Sequence, residues 1–182
     1  SFLFFFGLLG FTPDHARATA IGFEGGVSYG RISSGSDSGS ALGYGGGLTL
    51  ELHIRRVGFE TGGFLRKRAF GTSRRSYLTF ETSETLRFWI TRWIGIGVGG
   101  YFSQAFGKVT TVDTTTTFTA QGIRKIDYGI FPTLSFEARL KNRLHLAFDL
   151  RFHYGLRNIS LNSVESRRFT EFLAMTGLRY FW

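Results

Sequence analysis

A chain of 182 residues, 42% of them hydrophobic and with a mean hydropathy of −0.01, has room for one domain and lacks the apolar excess of a helical membrane protein. The absence of cysteine excludes disulfides, thiolate metal sites and a lipidated cysteine within this sequence. Twenty-five glycines against 2 prolines, 17% aromatics and a formal charge of +9 favour strands over helices and point to a phosphate-bearing partner.

Residues 1–18 read as the remnant of an export signal. An apolar run, Phe2 to Phe11, precedes Thr12-Pro13-Asp14-His15 and the small-x-small triplet Ala16-Arg17-Ala18, with Ala18-Thr19-Ala20 as an equivalent cleavage site. The run is shorter than the roughly 20 residues of a membrane-spanning helix. Residues 19–182 then form one domain, and export excludes nucleic acid as the partner of its basic charge.

Beyond Ala20 the apolar residues recur every second position, the period of a strand. Leu42, Tyr44, Gly46, Leu48, Leu50, Leu52 and Ile54 share one face, opposite Gly43, Gly45, Gly47, Thr49, Glu51 and His53. Leu144, Leu146, Phe148, Leu150, Phe152 and Tyr154 likewise oppose His145, Ala147, Asp149, Arg151, His153 and Gly155. Eight strands are predicted, at 20–31, 41–54, 57–70, 76–90, 93–105, 125–140, 143–155 and 169–182. Each reaches the roughly 9–11 residues that a tilted strand needs to cross a bilayer. Tight turns at Arg55-Arg56, Thr91-Arg92 and Lys141-Asn142 alternate with longer polar loops at 32–40, 71–75, 106–124 and 156–168, the alternation of an outer-membrane barrel. Phe64 and Lys67 in the third strand, and Glu84 in the fourth, break the alternation, and a bulge between Thr82 and Thr85 would reset the frame. Pro132 asks for another bulge.

Alternation alone also suits a soluble, lipocalin-like lipid carrier with Leu42 to Ile54 inside. Three features favour the opposite arrangement, with lipid outside. The polar face is dense in glycine, as the crowded interior of a small barrel requires. It also carries both charge signs, as a filled lumen must. Glu24, Glu51, Glu60, Glu81, Asp127, Glu137, Asp149 and Glu171 face Arg66, Arg68, Arg87, Arg139, Arg151 and Arg179. Aromatics form two girdles: Phe88, Trp89, Trp93, Tyr180 and Trp182 at the turn end, and Tyr29, Tyr44, Tyr77, Phe102, Tyr128 and Tyr154 at the loop end. The expected fold is all-β: an eight-stranded antiparallel up-and-down transmembrane barrel with a packed polar lumen, monomeric, exported through the periplasm to the bacterial outer membrane.

The chain ends Met175-Thr-Gly177-Leu-Arg-Tyr180-Phe-Trp182. This resembles the C-terminal β-signal of outer-membrane proteins at Gly177, Tyr180 and Trp182, with Met175 where a polar residue is usual. The resemblance implies recognition by the barrel-assembly machinery. Gly58 to Arg68, Ser76 to Phe80 leading to Leu86-Arg-Phe-Trp89, Ile94 to Phe102, Asp127 to Ile130 and Phe152 to Asn158 resemble the PorT-like outer-membrane β-barrel domain. Glu81-Thr-Ser-Glu84 stands where that family usually carries a proline. The resemblance implies a small barrel with a structural or accessory role.

Chemistry is sparse. His53, His145 and His153 face the predicted lumen, but His145 and His153 lie about 26 Å apart at ~3.3 Å per residue along one strand, so they cannot share a metal. His153-Tyr-Gly-Leu lacks the serine of the lipid A deacylases, and no nucleophile elbow or metal motif occurs elsewhere. An outer-membrane lipid-modifying enzyme is therefore the lesser reading, and neither a catalytic residue nor a cofactor is expected. Arg74, Arg75, Arg124, Lys125, Arg167 and Arg168 gather at the loop end, where their donors suit the phosphates of lipopolysaccharide. The threonine-rich stretch from Val109 to Gln121 is β-prone and is expected to extend a hairpin above the membrane.

Overall fold

The computed structural model describes residues 18–33, 39–71, 75–111, 115–118, 123–161 and 167–182. The export segment lies outside them apart from Ala18, as does Arg74. In chain order the strands are β1 (Ala18–Ser33), β2 (Ser40–Ile54), β3 (Val57–Phe70), β4 (Arg75–Trp89), β5 (Ile94–Thr110), the two-residue β6 (Thr115–Thr116), β7 (Ile126–Lys141), β8 (Leu144–Gly155) and β9 (Arg168–Phe181). Every long strand pairs antiparallel with its chain neighbours, and β1 pairs with β9 as well as β2. The β4–β5 pairing completes the circuit, so the eight long strands form a closed barrel that leaves no edge along its wall.

The connections divide the barrel into two ends. At the turn end, β2 and β3 are joined by Arg55-Arg56 alone, with Arg55 at a φ of 58° in the left-handed region a tight hairpin demands. There the side chain of Thr91 accepts bonds from the backbone N–H of Trp93 and of Ile94, at 3.1 and 3.0 Å, which folds the β4–β5 turn back on itself. Both described termini lie at this end. At the loop end β5 runs five residues past its predicted limit, and Val109 and Thr110 pair with β6, so the hairpin does extend.

The period of two sorts the side chains as the pleat requires. Leu42 is 72% exposed and Phe23 65%, whereas Arg68, Arg87 and Glu60 are wholly inaccessible. A water-soluble protein would reverse this arrangement, and a carrier with Leu42 to Ile54 inside is excluded. The outer wall is instead a continuous apolar surface that includes Ile21, Leu48, Leu86, Val98, Ile130, Phe148 and Leu178. At about half exposure, transfer of each such side chain from water to hydrocarbon is worth on the order of 1 kcal/mol, and summed over the wall this favours lipid outside.

Several expectations need correction. The β3–β4 and β4–β5 registers run without a shift past residues 82–85, so β4 has no bulge there. Glu84 does point outward, where it accepts a bond from the hydroxyl of Thr61 at 3.0 Å. Phe64 keeps the frame of Glu60, Arg66 and Arg68 and lies inside, leaving Lys67 on the outer wall over the ring of Tyr44 at 5.8 Å. Pro132 needs no bulge either. It pairs opposite Val98, and the β7–β8 register is the same at Ile130↔Tyr154 and Thr133↔Arg151. Trp89 and Tyr77 are not girdle residues. Each shares the inward phase of Glu81 and Arg87 and is buried in the bore, since neighbours such as Phe88 and Trp89 cannot both face lipid.

Candidate functional site

The inward faces converge on a bore filled in layers, and each layer follows from where the strands place their charges. Nearest the turn end, His53 Nε2 lies 3.0 Å from Glu51 Oε1 and His145 Nδ1 lies 3.0 Å from Glu137 Oε1. The ring of Phe181 touches both histidines, and Trp89 stacks on His53 at 5.8 Å.

Above this layer lies the main ion network. Arg179 from β9 places Nη2 at 2.7 Å from Glu24, and at 2.9 Å from both Glu60 and Asp149, while Nη1 reaches Glu51 at 3.1 Å. Arg87 from β4 reaches Glu51 at 2.8 Å and Glu60 at 3.2 Å. Arg151 from β8 reaches Glu60 at 2.8 Å and Asp149 at 3.1 Å. Oxygens of Glu24, Glu60 and Asp149 lie within 4.8 Å of one another, a spacing that would suit a cation. The guanidiniums of Arg151 and Arg179 already supply positive charge at that point, since each bonds all three carboxylates. With three arginines interlaced among four carboxylates, the site reads as an internally paired plug.

A thin apolar layer of Phe64, Leu173 and Met175 separates this network from a second one. There Arg66 bridges Glu81 and Glu171 at 2.8 and 2.7 Å. Arg68 bonds Glu81 at 2.8 Å and Asp127 at 3.0 Å. The phenol of Tyr101 donates to Asp127 at 3.0 Å. His153 is clamped between the rings of Tyr101 and Phe131, at 4.5 and 4.7 Å between centroids. The three histidines thus do not meet at one point: His53 and His145 share the Phe181 ring but pair with Glu51 and Glu137 in turn, and His153 lies in the upper network 3.9 Å from Glu81.

Glycine gives the charged lumenal side chains their space. A Cβ on Gly45 would lie 2.7 Å from Arg66 Cγ, and one on Gly177 would lie 2.8 Å from both Cα and Cγ of Glu24. Gly177 of the β-signal therefore faces the bore, while Tyr180 and Trp182 project outward.

Of the anticipated lumenal charges, Glu24, Glu51, Glu60, Glu81, Arg87, Glu137, Asp149, Arg151, Glu171 and Arg179 are buried together in the bore. Arg139 is not. It has the inward phase, but β5 begins opposite Phe136, so Arg139 stands below the wall with no bore to enter. Its side chain is exposed and bonds Asn142 at 3.3 Å.

The loop end holds what sequence reasoning missed. Ile32, Phe70, Tyr77, Ala105, Val109, Phe118, Ile123, Ile159 and Phe169 form a buried apolar cluster across the mouth. Phe70, Tyr77 and Phe169 were legible, since the inward phase runs on to them; Phe118, Ile123 and Ile159 come from loops, and no periodicity marks them. Around this cap Arg31, Arg124, Lys125 and Arg168 are exposed, and Arg75, Arg157 and Arg167 are half-buried. Arg124 donates from Nε to the carbonyl of Ser160 at 3.1 Å, which ties two loops to each other, and Arg168 of β9 donates to the hydroxyl of Tyr154 of β8 at 3.1 Å across the rim.

No family model and no curated protein matches the sequence. The solved structures it resembles are small barrels. Neisserial surface protein A is 16% identical with a TM-score of 0.54, over 90% of this chain and 97% of that one. The outer membrane protein OprG from Pseudomonas aeruginosa is 14% identical with a TM-score of 0.57, over 92% and 97%. Ail, the attachment invasion locus protein of Yersinia pestis, solved with the heparin analogue sucrose octasulfate, is 10% identical with a TM-score of 0.50, over 90% and 98%. At these identities the likeness establishes the fold, that of the small membrane barrels.

Proposed function

We propose that this chain is an integral outer-membrane barrel with a closed bore, acting as a structural or accessory surface protein without enzymatic activity. The carrying observation is the stack of two ion networks, an apolar layer and an apolar cap, with fully buried arginines spanning the lumen. The apolar outer wall supports membrane residence. Short turns at one end and longer loops at the other support turns on the periplasmic side and loops outside. A monomer inserted by the barrel-assembly machinery accords with a wall closed on itself and a C-terminal strand that resembles the β-signal. Affiliation with the PorT-like barrels rests on the segments that resemble that family.

The basic loop end is read as a contact for the phosphates of lipopolysaccharide. Arg124, Lys125 and Arg168 are exposed there, and Arg75 and Arg167 lie beside them. Ail, a barrel of the same fold, has been solved with a polysulfated sugar bound. Planar-bilayer recordings of the purified chain test the closed bore: no stable large channel is expected, and a steady open pore overturns the reading. Binding of lipopolysaccharide is expected to weaken as salt rises and when its phosphates are removed; equal binding after dephosphorylation rejects the loop contact.

A further inference from the structure

We propose that the turn end carries a specific site for one anionic phospholipid of the adjacent leaflet, built by Arg92 and Arg139. The proposal rests on the membrane-barrel reading and adds a ligand to it. β7 and β8 extend as a hairpin below the start of β5, whose pairing with β7 begins at Ile94↔Phe136. Residues 138–141 consequently have no β5 partner, and beside this free edge the wall opens into a recess of about 880 Å³.

Its two kinds of lining define the ligand. Trp93, Phe136, Leu146 and Phe148 are exposed apolar side chains continuous with the lipid-facing wall. Arg92 and Arg139 border the same recess, and both are exposed. Arg92 lies over the ring of Trp93 at 4.9 Å, which holds its guanidinium at the rim. Among the described residues no carboxylate forms an ion pair with either arginine. The one acid at the recess, Glu137, is buried and held by His145 at 3.0 Å. An amphiphile with acyl chains along the apolar wall and a phosphodiester between two arginines matches this surface in polarity and charge. A zwitterionic lipid satisfies the wall but brings its own cation to the arginines.

The test is native mass spectrometry of the full chain, folded in detergent and offered equal amounts of phosphatidylglycerol and phosphatidylcholine. One retained phosphatidylglycerol is expected, favoured about fivefold for each arginine near the surface. R92Q/R139Q should abolish the preference, whereas R55Q/R56Q, which removes equal charge from a turn that does not border the recess, should keep it. Should the double variant not fold, R92Q and R139Q singly should each lower the preference about fivefold. Equal retention of the two lipids, persistence of the preference in R92Q/R139Q, or equal loss in R55Q/R56Q overturns the proposal. So does a dimer that replaces the lipid adduct, which would give the recess to a second copy. Failure of the barrel reading is separate: the chain would then stay in solution without detergent and show no fast-migrating unboiled form on a gel.

Discussion

Replacing Arg179 by Met tests whether the lumen is a dry, paired core. Arg179 bonds Glu24, Glu51, Glu60 and Asp149, all between 2.7 and 3.1 Å. Without it, Arg87 and Arg151 face those four carboxylates alone, and Glu24 keeps only Arg151 at 3.4 Å. Breaking a buried network by removing one partner costs about 3–5 kcal/mol, because an uncompensated charge stays inside. Urea unfolding in lipid vesicles, followed by the unboiled gel shift, should then show a midpoint lowered by at least about 1 M at an ordinary dependence of ~1–3 kcal/mol per M. The pair R179M/E24Q should recover part of the loss, since the most abandoned acid becomes neutral. Its departure from additivity is expected at about 0.5–3 kcal/mol. An R179M midpoint within about 0.5 M of the native one would refute the reasoning, because water would have to be solvating the bore.

Leu48→Arg, on the lipid-facing side of β2, should destabilise the folded barrel by about 2–4 kcal/mol in vesicle urea titrations, and a negligible change would remove that face from hydrocarbon. Glu84→Leu should raise stability by about 1–2 kcal/mol, since the outward carboxylate meets only the Thr61 hydroxyl; a fall instead would reveal a role for that pair. Gly177→Val should cut the yield of fast-migrating barrel in refolding without the assembly machinery, because its side chain would strike the carbonyl of Phe23 and the backbone of Glu24. Gly100→Ala, whose nearest neighbour would be the Gly129 carbonyl at 3.7 Å, should refold normally. Equal yields for the two glycine variants would discount crowding at β1–β9.

Much of the barrel is legible in the sequence. The period-two alternation placed Glu24, Glu51, Glu60, Asp149 and Arg151 on the inward face, because side-chain direction in a strand follows from counting. Counting misleads where composition is allowed to overrule it. Ring type alone suggests girdle positions for Trp89 and Tyr77, yet their phase points inward, and both are buried in the bore. It also falls silent about height along the axis. Arg139 has the phase of a lumenal residue and lies beneath the lumen, since where β5 begins against β7 is a matter of registration between strands.

The sequence by itself determined the eight long strands, which face of most of them is apolar and the signs of the charges on the other, because these depend only on local order along the chain. Tertiary structure alone decided which arginine bonds which acid, how Phe118, Ile123 and Ile159 cap the mouth, and that a recess opens beside the β7–β8 hairpin. Arg179 and Glu24 are 155 positions apart in the chain and 2.7 Å apart in space. Closing β1 against β9 brings them together, and no local pattern carries that register.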